Sequence, residues 1–204
     1  VSGDLFGFWP RPDGKLYAVI ADVAGKGIGP GLLMASLQAT MEVLSRSQLP
    51  TGELAEELSQ ILHRHTTANR YLTCFLVLLD PERGVAQFTN AGHNPALLFR
   101  SDGSIEALES HGLPLAMFPE NRYGQDERPM KAGDLMVLYT DGITEAAGPG
   151  GEEMELAGLR ALLSPFRTHP LPDLEQRIEE ALDTFTAGAP PSDDRTLVFI
   201  RRKR

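Results

Sequence analysis

Three short aspartate motifs each stand where an apolar run gives way to a turn: Ala21-Asp22-Val23-Ala24-Gly25-Lys26-Gly27, Tyr139-Thr140-Asp141-Gly142 and Ser192-Asp193-Asp194-Arg195-Thr196. A carboxylate at the end of a hydrophobic strand is poorly solvated, and several gathered together repel one another unless a hard cation lies between them. Magnesium or manganese suits that role, because both take oxygen ligands in near-octahedral geometry and keep waters for chemistry. Taken singly, each aspartate has a plainer reading as a helix N-cap or a turn cap. Taken jointly, with Asp4 in Ser2-Gly3-Asp4 as a fourth candidate, they are hard to explain as caps.

The elements that must hold these carboxylates can be read from hydrophobic period. Leu16 to Val23 is an almost unbroken apolar run between Pro12-Asp13-Gly14 and Gly25, which predicts a buried strand with Asp22 at its carboxyl end. After Gly29-Pro30-Gly31 the period changes, and Leu33, Leu37, Met41 and Leu44 mark one helix face. A second helix is expected over 53–65. Tyr71 to Leu79, the turn Asp80-Pro81-Glu82-Arg83-Gly84 and Val85 to Thr89 read as a hairpin buried on both faces. Ala96 to Phe99 and Ile105 to Leu108 make another, around Ser101-Asp102-Gly103-Ser104. Leu135 to Tyr139 predicts a strand delivering Asp141 just past its end, with a short helical segment through Ile143 to Ala146. Helical stretches near 153–163 and 172–185 precede a last strand over 196–200. Hairpin-joined strands with helices arriving in two pairs suit an α+β fold, an antiparallel sandwich flanked by helices.

The bulk numbers narrow the function. The chain has 204 residues, 42% of them hydrophobic, enough for one domain burying about 70% of its unfolded surface. A formal charge of −9 argues against nucleic acid or an anionic membrane as partner; the only basic run is Arg201-Arg202-Lys203-Arg204. Cys74 is the single cysteine, so no internal disulfide or thiolate cage exists, which fits a cytoplasmic location. No apolar run approaches the ~20 residues of a membrane span, and no membrane contact is expected. Gly25, Gly27, Gly29 and Gly31 match neither the dinucleotide fingerprint nor a phosphate loop.

With the aspartate motifs come Leu32-Leu33-Met34-Ala35, Asn90-Ala91-Gly92-His93-Asn94-Pro95, Gly112-Leu113-Pro114-Leu115 and Leu138 to Ala146. In this order the segments resemble the SpoIIE/RsbU-like serine/threonine phosphatases, a bacterial branch of the metal-dependent type 2C class, over nearly the whole chain. The resemblance implies a four-layer sandwich, helices outside two face-to-face antiparallel sheets, with two divalent cations, Mn2+ or Mg2+, at one edge. Asp22 would bridge both ions with help from the Val23 carbonyl, Asp141 and Asp193 would hold one, and Asp4 the other, through water. Asp22 and Asp141 are thus the expected catalytic residues. The expected activity is hydrolysis of phosphoserine or phosphothreonine on a regulatory protein, of the anti-anti-sigma kind, by a metal-activated water. The alternative is a catalytically silent domain of the same fold. Residues 1–204 would form one phosphatase domain, expected to be a fragment lacking an upstream regulatory region with a sensory role.

Two positions depart from the family pattern. Where relatives often carry a second acid three residues after Asp4, this chain has Gly7, which implies a looser second ion. Where some relatives have histidine in the glycine turn, this chain has Lys26, leaving Lys26 or water to protonate the leaving group. His93 reads as part of a tight turn whose Asn and His side chains bond the backbone, rather than as a catalytic residue.

Overall fold

The computed structural model describes residues 3–23, 25, 27–66 and 70–203. Five strands form one antiparallel sheet in the order β1-β2-β3-β4-β7, comprising Asp4–Pro10, Leu16–Val23, Leu72–Asp80, Val85–Ala91 and Asp126–Pro129. Four form a second, in the order β6-β5-β8-β9, comprising Ile105–Leu108, Ala96–Phe99, Leu135–Tyr139 and Leu197–Arg201. Helices α1 (Ile28–Leu44) and α2 (Thr51–His65) cover the first sheet. The short α3 (Asp141–Thr144) continues from β8, and α4 (Glu155–Leu163) and α5 (Leu171–Phe185) cover the second sheet.

Side-chain alternation along β2 shows how two strand faces build this sandwich. Tyr17, Val19, Ala21 and Val23 pack outward against Leu33, Leu37 and Met41 of α1 and Leu54, Leu58 and Leu62 of α2. Ala18 and Ile20 point the other way, into a layer between the sheets shared with Phe75, Val77, Phe88, Leu98, Met136, Leu138 and Val198. On the far side, Leu97, Leu135, Val137 and Tyr139 meet Leu159, Leu163, Leu174, Ile178 and Leu182. The expected four-layer architecture is therefore the observed one. Cys74 is completely buried in the first layer, as a small apolar side chain.

Two strands stand outside the elements expected from hydrophobic period. β1 has Gly7 at its centre and ends on Pro10, and its only strand partner among the described residues is β2, from Asp4 opposite Asp22 to Pro10 opposite Leu16. β7 is Asp-Glu-Arg-Pro at the other edge, paired only with β4. α1 also begins earlier than its apolar face suggests, at Ile28, because Pro30 is tolerated within a first turn, where no backbone N–H is needed.

Candidate metal centre

The position of Asp22 follows from strand parity. Ala18, Ile20 and Asp22 share the face of β2 that looks into the inter-sheet layer, so the hydrophobic row ends in a carboxylate at the rim of the sandwich. On the neighbouring strand Asp4 stands directly opposite. Across the layer, β8 ends at Tyr139 and hands over to Thr140 and Asp141. Asp141 is the first residue of α3, and Thr140 takes the N-cap position, so Asp141 is not the cap itself.

Two glycines bring the pieces together by close approach. A Cβ on Gly142 would collide with the carbonyl oxygen of Asp194, so the absent side chain lets the Asp193-Asp194 loop lie against α3. A Cβ on Gly3 would stand 3.3 Å from Oδ1 of Asp22 and 3.4 Å from the carbonyl oxygen of Val23. Those two oxygens therefore lie close together beside the Gly3 backbone. The result is a cleft of about 560 Å³ lined by Asp22, Val23, Asp141, Asp193 and Asp194, with Gly3, Gly25 and Gly27 at its rim.

Asp4 lies beside that lining rather than in it, and its carboxylate is held from behind. The Thr196 hydroxyl donates to Asp4 Oδ2 at 2.6 Å, and the Thr140 hydroxyl donates to the same oxygen at 2.8 Å. Thr140 Oγ1 in turn accepts the Thr196 N–H at 3.0 Å. β1 of one sheet is thus tied to the ends of β8 and β9 of the other through one carboxylate oxygen.

The electrostatics are those of crowded anions. Burial pushes the Asp22 carboxyl up to about 7, with further contributions from Asp141, from Asp4, which shares a hydrogen bond with it, and from Asp193. Burial also raises Asp4, against the lowering effect of the Thr196 and Thr140 hydroxyls. The donors that line the cleft are carboxylate oxygens and the Val23 carbonyl, all hard, so the residues fit a divalent magnesium or manganese ion. Among the described residues no three His, Cys, Asp or Glu side chains already enclose a point as a finished cage. The fit is one of donor chemistry, with Asp193 exposed in the loop that leads into β9.

The family match covers most of the chain: the model for Stage II sporulation protein E (SpoIIE) matches residues 12–203. The chain belongs to the SpoIIE family. A curated relative, phosphoserine phosphatase RsbU of Bacillus subtilis (strain 168), is 26% identical over 204 residues, covering all of this chain and 60% of RsbU. This SpoIIE-family chain thus spans less than two thirds of the length of that relative. Among solved structures, the SiaA-PP2C domain of Pseudomonas aeruginosa superposes with a TM-score of 0.84 at 20% identity, over 98% of this chain and 81% of that one. RsbX, solved in complex with magnesium, gives a TM-score of 0.73 at 17% identity over 98% of this chain and 86% of RsbX. The fold is that of the PP2C phosphatase domains.

Of the residues expected to hold metal, Asp22, Val23, Asp141 and Asp193 line one cleft, with Asp4 adjacent. Sequence reasoning missed Asp194, which lines the same cleft and accepts the Gly3 N–H at 2.9 Å, and it missed the roles of Thr140 and Thr196. Lys26 lies outside the described residues. The reading of Gly7 as a lost ligand is corrected by strand parity. Gly7 pairs with Val19 on the helix-covered face, and a Cβ there would collide with the Trp9 ring. An acid at that position would point away from Asp22.

Proposed function

We propose that this SpoIIE-family domain is a metal-dependent protein phosphatase that removes phosphate from serine or threonine of a regulatory protein. The observation that carries the reading is the oxygen-lined cleft in which Asp22, Asp141 and Asp193 converge beside Asp4. The name of RsbU as a phosphoserine phosphatase and the magnesium in RsbX support it.

Two divalent cations, Mn2+ or Mg2+, would supply Lewis acidity toward the phosphoryl oxygens and acidify a coordinated water. Asp22 would serve both ions, with the Val23 carbonyl beside it. Asp141 and Asp193 would hold one ion from the second sheet, and Asp4 would serve the other, its orientation set by Thr140 and Thr196. The apolar layer behind Asp22 excludes water and strengthens each of these interactions.

Neither Cys74 nor His93 competes as nucleophile or acid. Cys74 is fully buried, and burial pushes its thiol far above the ordinary range, so it carries no thiolate. His93 is buried, and burial lowers it to about 4, so at neutral pH it holds no spare proton. In this reading water attacks phosphorus in line and no protein nucleophile takes part. By the likeness to RsbU, we assign the substrate to phosphorylated regulatory proteins of the anti-anti-sigma kind.

The test is phosphate release from a phosphoserine peptide with manganese, with EDTA, and with the Asp22→Ala variant. Release that needs manganese and vanishes in the variant is expected. A folded, manganese-loaded wild type that releases no phosphate from any phosphoserine peptide or p-nitrophenyl phosphate would favour a silent domain of this fold.

A further inference from the structure

The segment Asn90-Ala91-Gly92-His93-Asn94-Pro95 carries the chain from β4 in one sheet to β5 in the other, and the function proposed above makes no use of it. His93 is 7% exposed, and both ring nitrogens are engaged. Nδ1 lies 2.8 Å from the hydroxyl of Thr73 on β3, and Nε2 lies 3.1 Å from the carbonyl oxygen of Tyr139, the last residue of β8. Since a carbonyl can only accept, Nε2 carries the proton and donates to Tyr139, and Nδ1 accepts from Thr73. The Asn90 side chain fixes the turn itself, with Oδ1 accepting the His93 N–H at 2.8 Å and Nδ2 donating to the His93 carbonyl at 3.0 Å.

The two partners of the ring are the neighbours of the two principal carboxylates. Thr73 is the register partner of Asp22 on the adjacent strand, and its hydroxyl stands 3.4 Å from the Asp22 carbonyl oxygen. Tyr139 precedes Asp141 by two residues at the end of β8. The imidazole is thus a rigid spacer, hydrogen-bonded at both ends, between the strand end that carries Asp22 and the strand end that carries Asp141. We propose that His93 is a positioning residue that sets the span between Asp22 and Asp141 and so tunes divalent-metal affinity. This rests on reading the cleft as a metal-dependent phosphatase site.

The experiment compares wild type with His93→Ala and His93→Gln for manganese affinity by calorimetry, melting temperature in EDTA, and kcat and KM for p-nitrophenyl phosphate across pH. His93→Ala is expected to weaken manganese binding and lower kcat by about tenfold or more, the scale of residues that orient metal ligands, with KM little changed. His93→Gln, whose amide can still donate toward Tyr139, is expected to recover most of both, with the limbs of the pH profile in place. A lower melting temperature with unchanged manganese affinity and kcat would overturn the proposal in favour of a purely structural histidine. So would a His93→Gln variant as inactive as His93→Ala that has also lost a limb of its pH profile, since that marks an acid or base. If His93→Ala does not fold, Thr73→Val removes one end of the tie alone, and unchanged manganese affinity there would equally contradict it. Should wild type bind manganese yet hydrolyse nothing, the phosphatase reading fails while the affinity comparison still decides the role of His93.

Discussion

Replacing Asp22 by Asn should make the metal-free protein more stable at pH 8 while abolishing its function. Burial and the neighbouring carboxylates raise Asp22 from the ordinary 3.8 to about 7, so the folded state keeps a proton there that the unfolded chain has released. Between those values the folded state binds more protons, and metal-free stability falls as pH rises through the window. At roughly 1.4 kcal/mol per pH unit the full penalty is about 4 kcal/mol. Asp22 is partly exposed, and solvent screening reduces this to about 2 kcal/mol. Asn has the same shape, does not titrate, and can still donate to Asp4. Urea unfolding in EDTA should therefore show the Asp22→Asn variant ahead by about 2 kcal/mol at pH 8, with the lead shrinking as pH falls and reaching near parity below the ordinary carboxylate value of 3.8. Any slope from His93 is common to both proteins and cancels in the difference. Manganese at a hundredfold excess over its dissociation constant should restore roughly 2.7 kcal/mol to wild type and little to the variant, reversing the order. A variant less stable than wild type in EDTA at pH 8, or a difference that does not change with pH, would refute this electrostatic reasoning.

Three further outcomes follow from the same geometry. Gly142→Ala forces a methyl group into the Asp194 carbonyl, so the Asp193-Asp194 loop must move; manganese-dependent turnover should fall at least tenfold, with a stability loss of about 1–3 kcal/mol by thermal melting. Thr196→Val removes one of the two hydroxyls on Asp4 Oδ2 and should weaken manganese binding by about 1 kcal/mol in calorimetry, with Thr140 retaining the other contact. His93 is held near 4 against an ordinary 6.5, so the unfolded state binds its proton first, and the contribution of this residue to stability should rise with pH from about 4 to 6.5, opposing that of Asp22. Its contribution approaches 3 kcal/mol, and denaturant titrations of His93→Gln should show a correspondingly flatter profile over that range.

Local signals were enough for β2 and β8, because each is a short apolar run ending in a turn with an aspartate on it, and for the two helix pairs, because their apolar faces repeat at helical period. They were not enough where an element owes its existence to a neighbour. β7 has no buried side chain to advertise it and is a strand because β4 offers an edge. The side on which Gly7 falls depends on the register of β1 against β2, and no spacing within β1 reveals that its Cβ direction runs into Trp9. The ties on Asp4 join residues 136 and 192 positions apart, and the two ends of the His93 bridge are 20 and 46 positions away. Such contacts are products of the sandwich closing, so motif residues such as Thr140, Thr196 and His93 acquire a role only in three dimensions.

The measurement that bears most directly on the metal centre is a manganese titration followed in parallel by calorimetry and by hydrolysis of p-nitrophenyl phosphate, in wild type and in Asp141→Asn. Wild type should show half-maximal activity at the manganese concentration that half-saturates binding, and Asp141→Asn should lose both together while keeping its far-ultraviolet circular dichroism. Hydrolysis that persists in EDTA, or that survives in Asp141→Asn with manganese binding intact, would contradict the assignment of this carboxylate cleft as the catalytic metal site.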